Sequence, residues 1–156
     1  MNHWMWAVSL AGLLSTAVVY GADMFFLTVG RPALRSASTS AGTEVMGFLH
    51  MYADARMPFW GLSAILSNLW LAIFSGSVQR WLYLASLSML ILFVMIYNLL
   101  SKPINRLQTD AAKTGATLKD ARELQASWDR SLIIRVPLLA MSLLAQCLTL
   151  MLPPSA

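Results

Sequence analysis

Apolar residues fill four long stretches of the chain, at about 4–29, 57–74, 81–100 and 128–152, and polar residues gather between them. A helix crosses the hydrocarbon core of a bilayer with about 17–25 mostly apolar residues, so each stretch is long enough. The first stretch lacks the positively charged start of a signal peptide and is too long for its apolar core, so it reads as a retained span. Gly30-Arg31-Pro32 is predicted to end it, because proline cannot continue a helix. Residues 35–43 are rich in Ser, Thr, Gly and Ala and read as a loop. Thr43-Glu44 then opens a partly polar helix carrying Val45, Met46, Phe48, Leu49, His50 and Tyr52, with Pro58 as a kink or a restart. Ser75-Gly76-Ser77 is a short turn. The third stretch holds no charge, and Lys102-Pro103 is predicted to stop it. Pro153-Pro154 is predicted to end the fourth.

The segment 104–127 breaks this pattern. Seven of its residues are charged: Arg106, Asp110, Lys113, Lys119, Asp120, Arg122 and Glu123. Ala121, Leu124, Gln125, Trp128 and Leu132 share one stripe at helical spacing. The segment therefore reads as a surface helix, interrupted at Thr114-Gly115, that runs straight into the fourth span. The resulting fold class is all-α: an integral membrane four-helix bundle with a cytoplasmic amphipathic helix before its last span.

Composition agrees. The 156 residues are 58% hydrophobic and 12% charged, whereas soluble domains are about a quarter charged. This excludes a disordered chain, a nucleic-acid-binding domain and a disulfide-stapled secreted domain. The single cysteine, Cys147, allows no intrachain disulfide and no multi-thiolate metal site. Charge then fixes an orientation. Arg31, Arg35, Arg56, Lys102, Arg106, Lys113, Lys119, Arg122 and Arg130 fall on the side of the first and third connections, and only Arg80 falls on the other. The positive-inside rule makes those two connections cytoplasmic and both termini non-cytoplasmic, as in a bacterial inner membrane. Trp4, Trp6, Trp81 and Tyr83 fit an aromatic belt on the outer side.

Polar residues within spans are the candidates for chemistry, since a bilayer penalises them. Asp23, near the cytoplasmic end of span one, is either a functional carboxylate or a helix-end partner for a nearby arginine. Arg135 lies two turns after Trp128 on the same face. It is either half of a structural ion pair, with Asp23 as candidate partner, or an anion site. His50 is either a base near neutral pH, a metal ligand, or a packing histidine. The only other histidine, His3, is predicted on the opposite side, which argues against a bis-histidine haem. The ten methionines form no MxxM or MxM cluster and read as core fillers. Asn105 either caps the helix after Lys102-Pro103 or turns its amide to the site. No GxSxG, HExxH, P-loop or dinucleotide fingerprint is present.

The end of span one, GADMFFLTVGRPALRSA, the end of span three, NLLSKPINRL, and the start of span four, WDRSLIIRV, form an ordered set. With Pro32-Ala33-Leu34, Pro103-Ile104-Asn105-Leu107 and the Trp128/Arg135 pair in that order over four spans, the chain resembles the anthrone oxygenase-like family of small membrane proteins. Many of that family's members are known only as a domain of unknown function. The resemblance covers nearly the whole chain. It implies a four-helix membrane bundle and, from the characterised members, oxidation of an anthrone to an anthraquinone with O2 as co-substrate. Such chemistry needs a base, an oxyanion stabiliser and an apolar pocket, and can proceed without a metal. Asp23 or His50 is the candidate base. Arg135, Asn105 and Trp128 are candidates to hold the oxyanion and stack on the ring, and Trp60 is added as a substrate-facing aromatic. Asp23 and His50 match no family motif. A haem or copper stays open, with His50 joined by Asp23 or a methionine.

Two further classes compete with an enzyme of apolar aromatic or quinone-like substrates. One is an accessory subunit of a larger membrane complex, or a homo-oligomer, docking through small residues such as Ser9, Gly12 and Ser15-Thr16. The other is a transporter or channel component, for which no repeat symmetry is visible. The enzyme reading predicts that Asp23, Asn105, Trp128 and Arg135 converge at the cytoplasmic mouth of the bundle.

Overall fold

Helix-forming apolar runs dominate the chain, and the computed structural model, which describes residues 3–152, is helical in every element. Helix α1 (His3–Phe25) continues through a π-helical turn (Phe26–Gly30) into α2 (Arg31–Ser36). Helix α3 covers Thr39–Phe74. Helix α4 (Ser77–Ile96) continues through a second π-helical turn (Tyr97–Ser101) into α5 (Lys102–Thr114). Helix α6 covers Ala121–Met151. These make four rods, His3–Ser36, Thr39–Phe74, Val78–Thr114 and Ala121–Met151, each long and apolar enough to cross a membrane. At 1.5 Å per residue the rods are roughly 45–55 Å long.

The two predicted proline stops are corrected. Pro32 and Pro103 each lie in the first turn of a new helix immediately after a π turn. There the missing N–H is no loss, because the first helical N–H groups lack intrahelical partners anyway. Neither Gly30-Arg31-Pro32 nor Lys102-Pro103 ends its rod. Pro58 and Pro137 likewise sit inside the continuous helices α3 and α6.

The predicted loop at 35–43 shrinks to Ala37 and Ser38, both extended. The Ser38 hydroxyl accepts from the Ala41 N–H at 3.3 Å, an N-cap that starts α3 at Thr39, upstream of Thr43-Glu44. The span read as starting at residue 57 is therefore the second half of a 36-residue helix. Asn105 caps nothing: Ser101 precedes α5, and Asn105 is buried inside it. The Ser75-Gly76 turn and the Thr114-Gly115 break are present, the latter closed by Gly115 in the left-handed region at φ +66°. Helix α6 passes through Trp128 without interruption. Pro153-Pro154 lie outside the described residues.

Helix α1 packs on α3 and α6, α4 on α6 and α3, and α5 on α3. Two glycines set close crossings. A Cβ at Gly12 would stand 2.9 Å from Cβ of Ser67, and one at Gly47 would overlap the Gln108 carbonyl oxygen of α5. The Thr109 hydroxyl donates to the Gly47 carbonyl at 3.0 Å beside that contact. So α5, read from sequence as a surface helix, is fastened to α3 along a face holding Ile104, Asn105, Gln108, Ala111 and Ala112.

The bundle carries its polarity inward. Leu62, Leu66, Leu69, Ile73, Leu144 and Leu148 point outward and are exposed, while Ser9, Ser15, Thr16, Asn68, Ser86, Ser142 and Gln146 are buried. The small residues of α1, Ser9, Gly12, Ser15 and Thr16, are thus used inside this chain's own bundle rather than on an outer docking patch. One apolar layer crosses the middle of the bundle: Val19, Ala64, Leu90 and Leu139, one from each rod.

Candidate functional site

Asp23 lies near the end of α1, and Arg135 lies in α6 after four turns of polar and apolar alternation. Facing each other, they form a two-point ion pair: Nε donates to Oδ2 at 2.9 Å and Nη2 to Oδ1 at 2.6 Å. Both are buried. The third guanidinium nitrogen, Nη1, donates to the Ser101 hydroxyl. Rings of Phe93, Tyr97 and Trp128 surround the cation at 5.8, 5.7 and 5.2 Å. A desolvated arginine is tolerable when its hydrogen bonds are filled and its faces meet aromatic rings.

The network continues without a gap. Ser101 and Ser131 share a hydrogen bond at 2.9 Å, and Ser131 donates to the Trp128 carbonyl at 2.7 Å. The Trp128 indole N–H donates to Asn105 Oδ1 at 2.9 Å. The Asn105 amide donates to Asp54 Oδ1 at 2.9 Å and to the Tyr97 hydroxyl at 3.3 Å, and Tyr97 itself donates to Asp54. Asp23, Asn105, Trp128 and Arg135 thus meet at one end of the bundle, joined through residues of all four rods.

His50 differs from its neighbours. It is 3% exposed and sits with its ring 5.1 Å from that of Trp128. Its side chain meets that of Gln108, and neither ring nitrogen nor the buried Oε1 of Gln108 has any other hydrogen-bond partner. From Gln108 a second chain runs outward. Its amide donates to Gln125 Oε1 at 3.2 Å, Gln125 donates to Asp129 Oδ1 at 2.9 Å, and Asp129 pairs with Arg31 at 3.1 Å. Gln108, Gln125 and Asp129 line an open cleft of about 260 Å³ together with Leu34, Arg35, Thr39, Thr43 and Arg122. The cleft therefore lies at the outer end of the chain that leads to His50. Trp60 stands apart, about one-third exposed on α3 with its ring against Phe59.

Several members of the site escape a reading of the sequence. Asp54 is the acceptor shared by Asn105 and Tyr97. Its signal is the spacing of four from His50, which puts both on one helical face with Met46 and Gly47. Ser101 and Tyr97 look like ordinary span residues, and Gln108, Gln125 and Asp129 look like members of a solvated helix.

Chemically, the groups divide in two. Asp23, Arg135, Asp54, Tyr97, Asn105 and Trp128 are engaged with one another. His50 and the Gln108 carbonyl have only each other. A ring nitrogen so placed can accept a proton or donate a hydrogen bond, and Gln108 is the residue between it and the cleft. Among the described residues no group of three or more His, Cys, Asp or Glu side chains is arranged to hold a metal ion.

Compared with family models, with curated proteins and with solved structures, the chain finds no match.

Proposed function

We propose that this chain is an integral membrane protein that binds an apolar aromatic substrate at its cytoplasmic end and promotes its oxidation by O2. The single observation carrying this reading is His50: a buried imidazole beside a tryptophan ring, whose nitrogens meet no hydrogen-bonding group but Gln108, at the inner end of a polar chain that lines a cleft. Unsatisfied buried polar atoms are rare in proteins and call for an explanation, and a ligand is one that also explains the cleft. The resemblance to the anthrone oxygenase-like family supports the reaction class. Of the residues that carry it, Asn105, Trp128 and Arg135 belong to the site's hydrogen-bonded network.

In this reading His50 is the base. It takes one proton from an activated aryl CH2, the resulting carbanion reacts with O2, and the hydroperoxide so formed loses water. The sum is CH2 + O2 → C=O + H2O, with no metal required. The second N–H of the Gln108 amide, whose first is given to Gln125, orients the developing oxyanion, while Asn105 stays with Asp54, Tyr97 and Trp128. Asp23 and Arg135 act as a scaffold, because each already fills the other's hydrogen bonds. In this reading the positive-inside rule puts the α2–α3 and α5–α6 connections on the cytoplasmic side, since Arg35 and Arg122 line the cleft there, and the α3–α4 turn, which carries only Arg80, on the other.

The test is quinone formation from an anthrone in vesicles holding the purified chain, followed by absorbance against protein-free vesicles. The parent should exceed the spontaneous rate, and His50→Ala should return to it. No acceleration by the parent across several activated aryl-CH2 compounds would sink the oxygenase reading. The mutual engagement of Asp23 and Arg135 favours a second reading, a non-catalytic subunit of a larger membrane complex. Stable association with a partner after detergent extraction, together with no oxygenase activity, would select it.

A further inference from the structure

The far half of the bundle holds a second buried polar cluster with no formal charge. Gln146 of α6 donates to the hydroxyls of Thr16 on α1 at 2.9 Å and Ser86 on α4 at 3.0 Å, and Ser86 and Ser142 share a hydrogen bond at 2.8 Å. Further polar contacts lie outward of it, where the Thr149 hydroxyl donates to the main-chain carbonyl of Gln146 at 2.6 Å and the Gln79 amide donates to the main-chain carbonyl of Thr149 at 3.4 Å. Two of its oxygens are orphans. Gln146 Oε1 and Asn68 Oδ1 have no partner, although their residues are only 3% and 1% exposed. Buried amide oxygens of this kind are normally satisfied by water.

We propose that this cluster is a hydrated proton path that enters from the end of the bundle at the α3–α4 turn and is sealed from the Asp23–Arg135 pair by one apolar layer. The layer is Val19, Ala64, Leu90 and Leu139. Tyr20, Ile65 and Phe93, each partly buried, pack against it. Thr16, Val19 and Asp23 step down α1 as Ser142, Leu139 and Arg135 step down α6, so seven residues separate polar groups on either side, about 10 Å along each axis. Protons suit the cluster better than other ions do. Hydroxyls and water can each accept and donate, whereas metal ions and anions need charged or carbonyl rings in place of their hydration shell, and here the Ser86 and Ser142 hydroxyls share a hydrogen bond while the Gln146 amide joins them to Thr16. A dry constriction of aliphatic side chains blocks conduction until it is wetted. Beyond it the path can continue on hydroxyl and carboxyl groups of the charged network: Ser101 and Ser131 beside Arg135, then Tyr97 and Asp54.

This inference rests on the membrane-spanning part of the proposed function but not on the substrate. The experiment reconstitutes the full chain in phospholipid vesicles with an entrapped pH dye, and drives protons inward with a potassium gradient and valinomycin. The parent is expected to match protein-free vesicles. Leu139→Ser should raise proton entry about tenfold, and Leu139→Ser combined with Gln146→Leu should return it to the parent rate. Ala64→Ser, a change of one hydroxyl, serves as a second breach if Leu139→Ser loses helix content. Helical variants retained in the bilayer that conduct no better than the parent would overturn the proposal, as would a leak that survives Gln146→Leu. A parent that already conducts would overturn the seal. A chain released from the vesicles by alkaline carbonate would overturn the membrane reading and this one with it.

Discussion

The two polar clusters solve one problem, burying hydrogen-bonding groups inside a helical bundle, in different ways. At the charged end, long side chains with formal charges reach across the bundle, and aromatic rings of Phe93, Tyr97 and Trp128 fill the space around Arg135. At the far end, short hydroxyls meet one amide, Gln146, and the helices themselves come close, as at Gly12 against Ser67. The charged cluster ties distant segments together through few strong contacts. The uncharged one relies on helix proximity and many weak ones. Loss of one member should therefore matter far more at the charged end.

The largest effect should come from Arg135→Met. It leaves Asp23 buried without its partner and should lower stability by about 3–5 kcal/mol. The double variant Asp23→Leu/Arg135→Met should recover most of that loss, because replacing both members of a buried pair with apolar groups is often neutral. Denaturant titration of helix content in detergent measures both. A double variant no better than the single would break the assignment of this pair as a self-contained unit.

Gly47→Ala should come next, at about 1–3 kcal/mol for forced overpacking. Its methyl would meet the Gln108 carbonyl and Ala112, so α5 should part from α3. Limited proteolysis near Gly115 should accelerate in this variant while cleavage between α3 and α4 does not. Equal acceleration at both places would mean that the two ends do not behave separately.

Gln146→Leu tests the other side of the comparison. Interhelical hydrogen bonds in membrane bundles average about 0.6 kcal/mol, and a loss near that size is expected in the same titration. A loss approaching that of Arg135→Met would erase the contrast between the clusters. His50→Leu should be the mildest. It removes two buried nitrogens that meet only Gln108, so stability should stay level or rise by up to about 1 kcal/mol, while oxidation of an anthrone is lost. A clear destabilisation would mean that the imidazole is a packing element whose shape matters more than its nitrogens.

Four apolar rods, the turn at Ser75-Gly76 and the break at Gly115 are written in composition and in local turn chemistry, so the fold was legible. The meeting of Asp23 and Arg135 was legible for a related reason: two charges at similar depth in an apolar setting have few other partners. The ends of the rods were not. A proline rule that holds for helix interiors was applied at Pro32 and Pro103, where a π turn had already restarted the helix. Asp54 was hidden because a carboxylate close to Arg56 and upstream of an expected span start looks solvated. Gln108 and Gln125 were hidden because neutral amides carry no charge to betray burial. Only the close approach of α5 at Gly47 turns that face inward, and close approach is a property of two segments together.

The π turn at Tyr97–Ser101 has a consequence for insertions and deletions. It holds one residue more than an α-helical path over the same rise. Deleting a single residue there would convert the turn to α-helix and leave α5 facing almost the same way, because five residues at π-helical pitch cover about the rotation and rise of four in an α-helix. The same deletion inside α4 has no such slack and would swing α5 about its axis by about 100°. Asn105 would then leave the Trp128 indole and Gln108 would leave Gln125. The site is thus tolerant of a lost residue at the π turn and intolerant of one a few residues upstream.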